Sequence, residues 1–159
     1  MADTSSCRRG SRPYGWLLLG LLLLFLFRVV AQLVQAFSPV TALPSFEIWQ
    51  SGAIPYPLLV VFQIIILIAC ARVVWSFLSG TVVPSGKKGR LLLIFGWIYF
   101  IAMGLRLLIG LTMAPDHYWF GAIVPALFHL VLAGFVVVCG FFHSARGGES
   151  VAVPPGDPA

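Results

Sequence analysis

The chain has 159 residues, 60% of them hydrophobic and 9% charged, with a formal net charge of +5 and a mean hydropathy of +1.00. A soluble domain carries about 25% charged residues, so this chain cannot cover a water-facing surface and reads as an all-α integral membrane protein. Its basic residues gather at the ends of apolar runs, which points to a lipid bilayer as the partner and away from nucleic acid.

Residues 1–14 form a polar, basic segment with Arg8, Arg9 and Arg12, read as cytoplasmic. The apolar run over 15–37 is longer than the ~7–15 residues of a signal-peptide core, and no clean small-x-small site follows it. A retained first span is expected. The loop to Tyr56 has no Lys or Arg. Within it, 44–50 is expected to form a short helix that lays Phe46, Ile48 and Trp49 at the membrane interface, a depth that Trp favours. The second span is expected over 57–79. A turn-rich loop then carries Lys87, Lys88 and Arg90. The third span is expected over 91–113, a tight turn holds Asp116 and His117, and the fourth span covers 119–142. Each run is near the ~20 residues a helix needs to cross a bilayer. Their continuous apolarity, without alternation, selects helices over a barrel. The transmembrane domain is therefore expected over 15–143, as one compact four-helix bundle, with a disordered cytoplasmic tail over 144–159.

Orientation follows from the loops. Basic residues lie in the N-terminal segment, the 80–90 loop and the tail, and the other two loops hold none. The positive-inside rule then places both termini in the cytoplasm. A short chain with compact loops suits a bacterial inner membrane.

The order of features repeats. Arg28, Trp49, Gly52-Ala53-Ile54, Pro57 and Gln63 are echoed by Arg106, Trp119, Gly121-Ala122-Ile123, Pro125 and His129. This suggests two tandem helical hairpins related by an axis along the membrane normal, although glycine- and alanine-rich helix starts also resemble one another by chance.

The costliest residues are the arginines inside spans. At 1.5 Å per residue, Arg28 and Arg106 lie roughly 20 and 22 Å from the inner edge, in the outer half. Helical spacing puts Arg28, Gln32 and Gln35 on one face of the first helix. It aligns Gly96, Tyr99, Met103, Arg106 and Gly110 on the third, and Ala122, Ala126, His129 and Ala133 on the fourth. Tyr56, Gln63 and Cys70 align on the second. Small-residue stripes mark faces turned toward other helices. The expectation is a polar cluster of Arg28, Gln32, Gln63, Arg106 and His129 in the outer half of the bundle. Glu47 and Asp116, in the outer loops, are the candidate ion-pair partners of the two arginines. Arg72, beside Trp75 near the inner edge, reads as a snorkelling anchor.

No span contains Asp or Glu, so no carboxylate relay or carboxylate metal site is expected, and no nucleophile-base-acid set is visible. His129 and His143 lie about 21 Å apart along one helix and cannot share a haem. Cys7, Cys70 and Cys139 show no metal-binding spacing. No metal or cofactor is expected. Two functional readings remain. One is a non-catalytic membrane subunit or scaffold that packs against other subunits. The other is an outer-face module that binds or transports an anion or lipid headgroup through the Arg/Gln/His cluster, since a guanidinium fork suits carboxylates and phosphates.

Overall fold

The computed structural model describes residues 4–147 apart from 39, 42, 44, 50–53, 114, 116 and 118, and leaves the side chains of 4–10 and 47 undescribed. Of the tail expected as disordered over 144–159, residues 144–147 are helical as the end of α5, and those from 148 onward lie outside the described residues. The described residues form five helices: α1 (Thr4–Phe37), α2 (Phe46–Trp49), α3 (Tyr56–Ser79), α4 (Gly86–Thr112) and α5 (Ile123–Gly147). Four of them are long and apolar enough to cross a membrane: Ser11–Phe37 of α1, then α3, α4 and α5.

The helix bounds differ from the apolar runs where packing continues past them. α1 extends back through its basic lead, because Ser11 donates to the Phe77 carbonyl at 3.0 Å and Tyr14 meets Phe142 edge-on at 5.4 Å. α3 opens on Pro55 and Pro57 and closes on Gly80, whose φ of 72° is the left-handed cap that glycine adopts without strain. The first turn of α4 forms from Gly86 because its backbone lies against the end of α5. A Cβ on Gly89 would fall on the Ser144 amide and 2.7 Å from the His143 carbonyl carbon. α5 starts only at Ile123, since Trp119 and Phe120 stay in the turn before it.

The core belongs to three helices. Leu18 of α1, Val74 and Phe77 of α3, and Phe135, Cys139 and Phe142 of α5 form one buried cluster. It lies toward the end that carries Ser11, Gly86 and Gly147. α4 packs along α5 in a close antiparallel seam, with Gly96 against Val137 and Leu93 against Gly140. Neither α4 nor α5 brings its Cα atoms within 8 Å of α3. The arrangement is thus a three-helix wedge of α1, α3 and α5, with α4 added on the far side of α5. It is not a closed square of four helices. The outer face of α4, with Phe95, Ile98, Ile101 and Leu105, is more than half exposed at each position, as a lipid-facing surface requires. Arg72 is exposed, as is the Trp75 ring near it.

Candidate functional site

Helical spacing assigns Arg28, Gln32 and Gln35 to one inward face, and all three are buried, at 6%, 0% and 8% exposure. Gln63 is buried at 3% and Arg106 at 5%, while His129 is half-buried. α1, α3 and α5 supply the first group of side chains, and α4 supplies Arg106.

Arg28 is held at one edge and one face of its guanidinium. Its Nη2 donates to the Trp49 carbonyl at 3.1 Å, and the group lies 5.4 Å from the centre of the Phe128 ring. Arg106 is held in the same manner and more tightly. Its Nε and Nη2 both donate to the Trp119 carbonyl, at 3.2 and 2.7 Å, and its guanidinium lies 4.3 Å over the Trp119 ring. The acids expected to pair with them, Asp116 and the side chain of Glu47, lie outside the described residues. Trp49 is 5% exposed and Ile48 48%. Of the aromatics expected at the interface, Trp49 therefore turns inward, and its carbonyl meets Arg28.

Between α1 and α3, Gln63 Nε2 donates to Gln32 Oε1 at 3.0 Å. That bond uses half of each amide. The Gln32 amino group and Gln63 Oε1 are buried without a partner, and so is Arg28 Nε. Which end of each amide carries the oxygen is an assignment from the bonding network. Either assignment leaves one donor and one acceptor unmatched.

These groups border a cavity of about 200 Å³ between α1, α3 and α5. Arg28, Gln63 and His129 are its polar lining, and the rest is apolar: Phe25, Leu59, Phe62, Ile66 and Leu132 among others. His129 is oriented from behind. The Tyr99 hydroxyl of α4 lies 2.7 Å from His129 Nδ1, which leaves Nε2 as the ring nitrogen available to a ligand. Tyr99 shares the Arg106 face in the sequence pattern, seven residues away, so the signal for its inward position was available. Its partner was not.

Of the five residues grouped from sequence, the fold brings Arg28, Gln63 and His129 to one cavity and puts Gln32 behind Gln63. Arg106 instead lies in the α4–α5 seam, closed onto Trp119, and does not line the cavity. A wider groove of about 680 Å³ lies between the end of α1, α2 and the start of α3. It is mostly apolar, and the Gln35 carbonyl in it already accepts from the Val40 amide at 2.9 Å.

Chemically, the cavity offers a fixed cation, amide groups of both polarities and one imidazole nitrogen. Its lining includes no carboxylate, hydroxyl or thiol. Among the described residues, no three His, Cys, Asp or Glu side chains gather to hold a metal. The set is suited to holding an anionic group and offers no hydroxyl, thiol or carboxylate nucleophile. The chain matches no protein-family model, and neither curated proteins nor solved structures include one similar to it.

Proposed function

We propose that this protein is a non-catalytic multi-pass membrane protein that binds a small ligand carrying a carboxylate or phosphate in the α1–α3–α5 cavity. One observation carries the reading: Arg28 Nε is buried without a partner in the wall of a cavity that also presents Gln63 and His129. A buried unmatched polar group costs about 1–3 kcal/mol, and more when charged. An anion seated in the cavity against the guanidinium offsets part of that cost by its charge. The alternative role, as a subunit or scaffold, calls for a surface beyond what lipid explains. The exposed apolar faces of α3 and α4 are accounted for by lipid, so binding is preferred.

The protein then sits in a cell membrane, with a bacterial inner membrane fitting its compact loops. Both termini are cytoplasmic. Arg12, Lys87, Lys88, Arg90 and Arg146 sit near one end of the four spans, where Ser11 packs on Phe77 and Gly86 on Gly147. The cavity then lies in the outer half. The two matching arginine clasps, Arg28 on Trp49 and Arg106 on Trp119, support a tandem-hairpin origin.

The test is thermal unfolding in a nonionic detergent with inorganic phosphate, methyl phosphate or acetate. The wild type is expected to gain several degrees with at least one of these anions, and Arg28→Gln to gain none. An equal response from both proteins would place binding elsewhere and sink the reading.

A further inference from the structure

The cavity is too small for a drug-sized ligand. About 200 Å³ is the volume of roughly seven waters at ~30 Å³ each, below the ~300–1,000 Å³ of pockets that enclose drug-sized molecules. It holds a headgroup-sized fragment. The remainder of a larger ligand must lie outside, and the helix arrangement leaves it one direction. α3 and α5 each pack on α1, but their backbones do not come within 8 Å of one another. At one end of the wedge Phe77 and Phe142 close this gap, with ring centres 4.7 Å apart. At the cavity level the gap is bordered by Leu59, Phe62 and Ile66 on one side and Leu132 on the other, and Phe62 is 48% exposed. Gln63 and His129 lie seven and six residues into their helices, so the polar groups sit roughly 10 Å inside the span. At that depth the surroundings of the gap are acyl chains, not water.

From this geometry we infer that the ligand is a membrane amphiphile with a phosphate or carboxylate head. It enters sideways from the bilayer between α3 and α5. Its head is held by Arg28, Gln63 and His129, and its chain lies against Leu59, Phe62, Ile66 and Leu132. The inference rests on the anion-binding reading above and adds the ligand class and the route.

The experiment uses the full chain in phosphatidylcholine nanodiscs with a monoalkyl phosphate carrying a photoreactive diazirine at mid-chain. Labelled positions are mapped by peptide mass spectrometry. The peptides bearing Phe62, Ile66 and Leu132 are expected to label about tenfold more than the outer face of α4 at Ile98 and Leu105. That excess is lost in Arg28→Gln and competed away by dodecyl phosphate. Labelling of the α4 face stays unchanged in both cases, which separates a seated ligand from simple partitioning. Uniform labelling that ignores Arg28→Gln, in a protein that methyl phosphate still stabilises through Arg28, overturns the amphiphile and leaves a soluble anion in the site. If neither the label nor methyl phosphate depends on Arg28, both readings fall.

Discussion

Arg106 donates twice to one oxygen, the Trp119 carbonyl, at 3.2 and 2.7 Å, with its guanidinium 4.3 Å above the same residue's ring. Arg28 makes one such bond to Trp49 and keeps its Nε unmatched. One arginine is consumed by the fold and the other is left partly available, so their substitutions should separate.

Arg106→Gln should act on stability. It removes both donors from the Trp119 carbonyl and a cation from the ring, and a desolvated cation–π contact is worth up to ~2 kcal/mol. A loss of about 1–3 kcal/mol is expected, read as a lowered midpoint in thermal or denaturant unfolding. The anion response should survive in the fraction that folds. Arg106→Lys should restore only part of the loss, because an ammonium lacks the planar fork. Full rescue by lysine would mean that charge alone matters there.

Gln32 and Gln63 should behave as a pair. Gln63→Leu leaves the Gln32 carbonyl without its donor and should cost about 1 kcal/mol, within the ~0.6–1.7 kcal/mol measured for polar contacts between membrane helices. In the double variant Gln32→Leu with Gln63→Leu, no half-amide is stranded, so the combined loss should be smaller than the sum. A double-mutant cycle on unfolding free energy measures this, and strict additivity would show that the 3.0 Å bond contributes nothing.

Residue order fixes the faces of these helices but not their partners. Run lengths announce four spans, since a bilayer sets a minimum length for any apolar helix. Helical spacing correctly turns Arg28, Gln32 and Gln35 inward together, because a rigid 3.6-residue period fixes faces before any partner is known. The acceptors were hidden. Each arginine meets a backbone carbonyl, a group every residue carries, and nothing in the letters marks which turn will offer one. The separation of Arg106 from the cavity was hidden for another reason. It depends on α4 joining α5 and staying away from α3, and faces alone do not order helices. The first turn of α4 was missed because Lys87, Lys88 and Arg90 look like loop, while Gly89 lets that turn press on the α5 backbone.

Gly89 is therefore expected to be intolerant. Gly89→Val puts a branched side chain into the Ser144 backbone, where no rotamer change makes room, and overpacking of this kind costs about 1–3 kcal/mol or more. Gly20→Val is the control, since a Cβ there meets nothing within 4 Å. Folded yield by size-exclusion profile should drop for the first and hold for the second. Equal yields would mean that the α4–α5 seam has room for a side chain at Gly89.

Tyr99→Phe probes the cavity without touching it. The Tyr99 hydroxyl lies 2.7 Å from His129 Nδ1, so its loss frees the imidazole to rotate and leaves Arg28 and Gln63 in place. Phenylalanine conserves the volume and the edge-on ring contact, with centres 6.1 Å apart, so stability should change by less than about 1 kcal/mol. If His129 contributes a donor through Nε2, the anion-induced rise in unfolding midpoint should shrink in Tyr99→Phe, and shrink further in His129→Ala. If His129→Ala reduces the rise and Tyr99→Phe does not, the imidazole is fixed by its surroundings on α5 and the hydroxyl is only a packing contact. If neither changes it, the anion is held from the α1 and α3 side alone, by Arg28 and Gln63.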